Sequence, residues 1–537
     1  MKSSSRQARP AADQVAMSDS QKLIHSLSSA GCYPHPAFSI RILETHASWV
    51  VLTGEYAYKI KKPVDLGFLD YSSLEKRRHA CYEELRLNVL LAPELYIGVV
   101  PITGTPSAPC LQGQGRVIEY AVQMREFDQA RRLDHLLEQG RLGPADMDDA
   151  SAHVAAFHLA APIMESAGPY GRGQDVHKPV MENFSTLTAL LGPGKAGEIG
   201  ALRKWSDAEY HKRRQDMQRR RNLGWVRECH GDLHLANLVK YRGRILAFDR
   251  IEFSETLRWI DVMNDAAFLV MDLLYHGHAD LAFRFLNTYL QDTGDYRGLV
   301  MLRYYLVYRA LVRAKVALLQ NRPAASASRD ADAHIDLANG LIQSGQPRLI
   351  LMHGLSGSGK TWLSQQLLMA LPAVRIRSDV ERKRIHGQII AQGGGNQPES
   401  GLYTQAASQR TYREMAELAA CVCGAGWNLI MDAAFLQQWQ RHEFHELAER
   451  LGIPWVIVDC RAPETVLRAR LEQRAVRGSD VSDADQAVLE YQLKHAQPLD
   501  ENERQYSVAV DTLSPPDIAS LLSQLRCAQQ GAGSASS

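Results

Sequence analysis

The 537-residue sequence carries no excess of either charge: 61 Lys and Arg stand against 60 Asp and Glu, a formal net charge of +1. Binding a polyanion or an anionic bilayer by bulk electrostatics needs such an excess, so the balance argues against nucleic acid and membrane partners. Long hydrophobic runs are missing too, and no interior stretch reaches the length that spans a bilayer. Residues Met1 to Ala16 are somewhat basic, but no apolar segment follows them, so they read as a frayed tail rather than a secretory leader. The eight cysteines (Cys32, Cys81, Cys110, Cys229, Cys421, Cys423, Cys460 and Cys527) are scattered, with none at a paired metal-ligand spacing. Cys421 and Cys423 sit in an apolar helical pattern and are expected to pack in a core. Reduced thiols and a cytoplasmic location are the expectation, and no internal repeat is evident.

What is present is the composition of a globular protein, 45% hydrophobic and 23% charged, at a length sufficient for two or three cores. The run Gln343-Ser-Gly-Gln-Pro347 has turn chemistry and precedes a new apolar strand, Leu349 to Met352. Before it, strands come first and helices later. Trp49 to Leu52 and Tyr56 to Lys62 flank Thr-Gly-Glu as a hairpin, Ser73 to Leu91 reads as a helix and Val117 to Met124 as a strand, and helical patterns dominate from Arg131 to Leu319. After it, strands at Leu349 to Met352, Val374 to Ile376, Leu429 to Met431 and Trp455 to Val458 alternate with helices, the pattern of a parallel sheet covered on both faces. The expected division is a disordered tail over 1–20, a first domain over 21–345 (N-lobe about 21–124, C-lobe about 125–345), a second over 346–526 and a flexible tail over 527–537.

The strongest local signal is Gly354-Leu-Ser356-Gly357-Ser358-Gly359-Lys360-Thr361, a G-x-x-x-x-G-K-[ST] run between a buried strand and a helix. Its glycines let backbone N–H groups curl around phosphates, and the helix N-terminus adds a favourable dipole. Lys360 would reach the outer phosphates of ATP, and the Thr361 hydroxyl would bind Mg²⁺. Asp379 follows the second strand, where a carboxylate can take a hydroxyl proton, although Ser378 or Asp379 would also serve as a plain helix cap. Asp432 ends the run Asn428-Leu-Ile-Met431, at the place of a carboxylate that supports the metal. Arg468, Arg470, Arg474 and Arg477 could close over a transferring phosphoryl group, or could simply make a solvated basic helix face. GLSGSGKT, SDVERKRI, MDAAF and the arginine-rich helix resemble those of small P-loop kinases: gluconate kinases, zeta-toxin-like kinases and polynucleotide 5′-hydroxyl kinases. That resemblance implies Asp379 as base and Arg382 as a substrate contact, and it selects no substrate.

A second constellation precedes the turn. In His230-Gly-Asp-Leu-His-Leu-Ala-Asn237, Asp232 and Asn237 are five residues apart, and a short strand, Arg244 to Phe248, delivers Asp249. One carboxylate can deprotonate a hydroxyl while an amide and a second carboxylate hold magnesium on a triphosphate. These residues resemble the aminoglycoside phosphotransferase and choline kinase-like family. The resemblance implies an ATP-phosphate lysine at Lys59, with Lys61 on the same face as a rival, and a partner carboxylate at Glu84 or its neighbour Glu83. Glu44 to Trp49, Leu66 to Tyr71 and Asp261 to Asp272 extend the likeness to a bacterial fusion of such a domain with a P-loop ATP-binding domain, AAA-type. The implied fold class is mixed α/β and α+β: a bilobal protein-kinase-like domain, then a P-loop NTPase-type parallel sheet.

Two departures stand out. No G-x-G-x-x-G precedes the lysine strand, and Asp249 is followed by Arg-Ile, which removes any expectation of protein-kinase-style activation-loop control. No acidic cluster marks a polycation pocket, although Glu252, Glu255 and Asp265 lie near the motif. The basic run from Lys212 to Arg221 reads as a solvated helix face. The expected activity is transfer of the γ-phosphoryl of ATP to small-molecule hydroxyls at two Mg²⁺-dependent sites. Its rival keeps one active kinase module and makes the other half a nucleotide-binding regulatory or interaction domain.

Overall fold

The computed structural model describes residues 17–67, 69–319, 323–343, 345–385, 387, 405–477 and 485–527. Most of the expected tails, 1–20 and 527–537, and Phe68 within the Leu66 to Tyr71 run, lie outside those residues; a helix already begins at Asp19, capped by Ser18. Two compact units emerge. One runs to Arg131 and takes in Ala247–Leu257; the other comprises Arg132–Leu246 and the chain from Arg258 on.

The first unit is built on a six-stranded antiparallel sheet with strands β1 (Arg41–Glu44), β2 (Ser48–Leu52), β3 (Tyr56–Lys61), β4 (Tyr96–Thr105), β5 (Ala108–Leu111) and β6 (Val117–Arg125), in the order β1-β2-β3-β6-β4-β5. The β2–β3 hairpin turns at Gly54, whose φ of +96° favours glycine. Pairing sets Val50 opposite Lys59 and Ser48 opposite Lys61. The two-residue period of a strand then divides the side chains. Tyr58 and Ile60 enter an apolar core with Leu27, Val51 and Ile102, while Lys59 and Lys61 take the other face. The helix Leu74–Val89 packs against β4 and β6.

The second unit opens with helices and two short two-stranded pairs. These pairs are β7 (Val226–Glu228) with β10 (Trp259–Asp261), and β8 (Leu238–Tyr241) with β9 (Arg244–Ala247). It closes with a parallel sheet of β11 (Leu349–His353), β12 (Ala373–Arg377), β13 (Asn428–Asp432), β14 (Trp455–Arg461) and β15 (Ser507–Asp511), ordered β12-β13-β11-β14-β15. One face (Ile350, Met352, Ile430, Val456, Val458) packs on Leu363 and Leu367 of the helix Lys360–Ala370 and on Leu521 and Leu525 of the helix Ile518–Cys527. The alternate residues Leu349, Leu351, Leu429, Met431 and Ile457 are equally buried. The fold class is therefore the expected one, with both faces of the parallel sheet covered.

The basic run differs from its reading at its end. Arg220 is buried against Asp261 and Asp295, and Arg221 donates to the carbonyls of Glu165, Ser166, Gly168 and Tyr170. A solvated helix face would leave such guanidinium groups in water. Here they fasten the helix Ala196–Asn222 to its neighbours instead. Among the described residues, no helix is long and apolar enough to cross a membrane.

Candidate functional site

In the first unit, Lys59 donates to Glu84 at 3.0 Å and also pairs with Asp249. Lys61 donates to the other oxygen of Glu84 at 2.5 Å and pairs with Glu252, which accepts a further 2.5 Å bond from the Tyr71 hydroxyl. Glu84 faces both lysines, whereas Glu83 pairs with Arg86 on the exposed side of the helix. The result is a ladder of alternating charge, Asp249–Lys59–Glu84–Lys61–Glu252, whose two ends lie on one short segment. Burial opposes the charge on both lysines. For Lys59 the carboxylates of Asp249 and Glu84 outweigh it, and for Lys61 those of Glu252 and Glu84, so both amines hold their protons more tightly than an ordinary lysine. The segment is fixed by Arg250, whose N–H donates to Asn88 and whose guanidinium donates to the Leu87 carbonyl. Asp249 itself has φ +66°, in the left-handed region that aspartate tolerates better than most residues.

In the second unit, the turn after β7 carries Asp232 and Asn237. The Asn237 amide nitrogen donates to the Asp232 carbonyl at 3.0 Å and to its carboxylate at 3.3 Å, leaving the amide oxygen as a hard donor. Burial raises the Asp232 pKa, but His234, 3.3 Å away, together with Arg313 and His230, holds the carboxyl well below its usual range. The turn hangs from one buried carboxylate: Asp265 accepts from the N–H of His230 at 2.9 Å and of Gly231 at 2.8 Å. His158 bonds Asp265 at 3.1 Å and, through its other nitrogen, the Tyr289 hydroxyl at 2.9 Å. Glu252 and Asp265 are thus both engaged in internal pairs.

The P-loop site lies wholly within the second unit. Gly354, Gly357 and Gly359 have φ of +134°, +82° and +84°, and a Cβ at Gly354 would stand 2.5 Å from the Cys460 carbonyl oxygen, so the loop can pass only as glycine there. Lys360 curls over the loop and donates to the carbonyls of Gly354 at 2.7 Å and Leu355 at 2.8 Å. Burial lowers its pKa, and the opposing charges of Cys460, Asp432 and Asp379 do not cancel that effect. Asp432, 5% exposed, lies 3.5 Å from the Thr361 hydroxyl and 2.9 Å from that of Ser364. A buried carboxylate beside a hydroxyl is an oxygen-only donor set of the kind Mg²⁺ takes.

A cavity of about 1020 Å³ joins these groups. Ser356, Gly357, Gly359, Lys360, Thr361, Asp379, Arg382, Asp432, Arg470 and Arg474 all line it, while Gly354 and Ser358 sit behind it. Asp379 falls in the first turn of the helix Ser378–Ile385. The arginine helix divides: Arg470 donates to the Gly357 carbonyl and Thr512, whereas Arg468 turns outward to Glu464 and Glu490. The Arg477 side chain lies outside the described residues.

Several groups at or behind the site were not read from the sequence. Gln492 accepts from the Ser356 N–H at 2.8 Å across 136 positions, and no local pattern announces it. Ser364, one helical turn after Thr361, could have been found from helical spacing. Trp439 ends an edge-to-face series, Phe444–Phe435–Tyr412–Trp439, that begins in the core and emerges at the cavity wall.

Residues 349–499 match the family model described as an AAA domain. The chain is 30% identical over 458 residues, 84% of its length and 90% of theirs, to the uncharacterized proteins Mb2027c of Mycobacterium bovis and Rv2004c of Mycobacterium tuberculosis. Among solved structures, a choline/ethanolamine kinase family protein from Mesorhizobium loti aligns over 60% of this chain and 95% of its own, at 12% identity and TM-score 0.37. A gluconokinase from Sinorhizobium meliloti aligns over 35% and 91%, at 21% identity and TM-score 0.24.

Proposed function

The chain belongs to one family with these mycobacterial proteins, a fusion that it shares along 90% of their length, and on that premise we propose that it is an ATP-dependent phosphotransferase with two nucleotide sites. The observation that carries the reading, at the P-loop site, is the cavity in which Lys360, Thr361 and Asp432 meet Asp379 and Arg382.

At the P-loop site, backbone N–H groups and Lys360 hold the ATP phosphates, with Arg470 and Arg474 lining the same cavity. A hydroxyl oxygen of the acceptor attacks the γ-phosphorus, the bond to the β–γ bridging oxygen breaks, and ADP leaves. The hydroxyl proton passes to Asp379, and Arg382 binds the acceptor. Thr361 and Asp432 would hold Mg²⁺, which when bound neutralises charge on the phosphates. The acceptor is a small molecule, in keeping with a cavity of about 1020 Å³ walled by Tyr412 and Trp439.

For the first domain we propose the same reaction with Asp232 as base, Lys59 on the ATP phosphates, Glu84 as the partner of Lys59, and Asn237 and Asp249 as oxygen ligands for Mg²⁺. The Lys59–Glu84 contact of 3.0 Å supports the first pairing, and the Asn237 amide nitrogen bonds Asp232, which turns the amide oxygen to the ligand role.

The test is product formation from a metabolite extract supplied with magnesium ATP and read by mass spectrometry. Wild type is compared with Asp232→Ala, Asp379→Asn and Lys360→Ala. Loss of one phosphorylated product in Asp232→Ala, and of a different one in both Asp379→Asn and Lys360→Ala, is the expected result. If Asp232→Ala leaves every product in place, the first domain is a binding or regulatory module.

A further inference from the structure

The edge of the parallel sheet at β12 is closed by a side chain from outside it. Asn287, 4% exposed in the helix Ala279–Thr293, accepts from the Arg375 N–H at 2.6 Å and donates to the Ala373 carbonyl at 2.8 Å. Its amide takes the place of a neighbouring strand on an edge that would otherwise present unpaired backbone groups. Arg375 carries the contact inward. Its guanidinium donates to the Ser364 hydroxyl at 3.1 Å and lies 3.8 Å from the Asp432 carboxylate. Asp432 in turn bonds Ser364 and faces Thr361. Beyond Arg377 the chain enters the helix Ser378–Ile385, which bears Asp379 and Arg382. The outer helix grips this one as well. Arg384 donates to the Gln291 carbonyl, and the outer helix stops at Gly294 (φ +73°), where a Cβ would stand 2.8 Å from the Arg384 Nε.

We infer that Asn287 is a positioning residue for the P-loop site, supplied by the kinase-like part of the chain. By fixing the backbone of Arg375 it sets the guanidinium against Asp432, and so sets the oxygen that supports magnesium-loaded nucleotide. This role rests on the reading of the P-loop as an ATP site. Its alternative is that Asn287 does no more than seal a sheet edge, in which case only stability depends on it. Partners one step removed from a metal's own ligands tune metal affinity, and Arg375 reaches both Asp432 and the Thr361 carbonyl.

The experiment uses the full chain carrying Lys59→Met, so that titrations report the P-loop. A non-hydrolysable ATP analogue and Mg²⁺ are titrated by calorimetry. In this background Lys360→Ala should weaken analogue binding about a hundredfold; if the affinity is unchanged, the ATP reading of the P-loop is what fails. Asn287→Ala should raise the Mg²⁺ concentration at half-saturation about tenfold, with analogue affinity at saturating Mg²⁺ changed by less than about twofold. Arg375→Gln should give a similar rise, and the double variant no more than either alone, because both act through one contact. An unchanged Mg²⁺ requirement in Asn287→Ala, or rises that multiply in the double variant, overturns the inference. Should Asn287→Ala fail to fold, Asn287→Asp keeps the acceptor for the Arg375 N–H but sets a carboxylate against the Ala373 carbonyl. It should shift the Mg²⁺ requirement in the same direction, and no shift overturns the inference.

Discussion

Lys59 and Lys360 are proposed to meet the same ligand, yet they wait for it in opposite surroundings. Lys59 stands in a ladder of side-chain charges, one of whose carboxylates comes from 190 positions away. Lys360 leans on the backbone carbonyls of its own loop, five and six residues back. In the first place burial is outweighed by the facing acids Asp249 and Glu84, and the amine binds its proton more tightly than usual. In the second, burial prevails and the proton is held less tightly. One site therefore depends on partners gathered by the tertiary fold, the other on a conformation that three glycines permit.

That contrast can be broken most forcefully at Lys61. Its removal leaves Glu84 and Glu252 buried with one fewer counter-charge, and Lys61→Met should cost about 3–5 kcal/mol in urea unfolding. Lys59→Met should cost distinctly less, because Asp249 is 39% exposed and water can take the lysine's place. Equal losses would remove the distinction between a structural and a ligand-facing lysine.

Next in size is nucleotide affinity. Lys360→Ala should weaken analogue binding at the P-loop by about a hundredfold, the worth of a charge-assisted phosphate contact, without lowering thermal stability by more than a few degrees. Calorimetry and a melting curve on the same sample check both halves of that statement.

The pH dependence sharpens the comparison further. A lysine loses its charge as pH rises through its pKa, and that pKa is lowered at Lys360 and raised at Lys59. Binding that remains in Lys59→Met should therefore decline at a lower alkaline pH than binding that remains in Lys360→Ala. Alkaline limbs that coincide in the two variants would erase the distinction. The smallest effect is at Gln492, whose amide oxygen sits on the Ser356 N–H. Gln492→Glu places a negative charge where phosphate oxygens are proposed to lie, and should weaken binding by about fivefold, less at high salt.

The same contrast governs what could be read from the chain. The P-loop announces itself because one stretch of eight residues supplies the turn, the amine and the hydroxyl. The hairpin bearing Lys59 was visible as two β-rich runs about Thr-Gly-Glu, but whether Glu83 or Glu84 faced it depended on the rotation of a helix whose apolar stripe is weak. The long strand β4 escaped notice because Gly98 and Pro101 interrupt it and its pairing slips in register twice. The short edge strand β15 alternates exposed and buried residues over only five positions, too few to stand out. Asp265 lay in a noted segment, but that its oxygens would carry two backbone N–H groups is a property of the folded turn alone. Asn287 had no signal at all: a lone asparagine within an amphipathic helix looks like any other polar residue.

Asn287 also bears on how such a chain can be inherited. A fragment that began at the turn before β11 would keep every residue of the nucleotide loop but lose the helix that closes β12. Its bare Arg375 N–H and Ala373 carbonyl would then offer a template for pairing with other chains. Separation of the two halves by gene fission would thus add a penalty in self-association to the loss of Asn287 at the nucleotide site, and this favours their passage through evolution as one polypeptide.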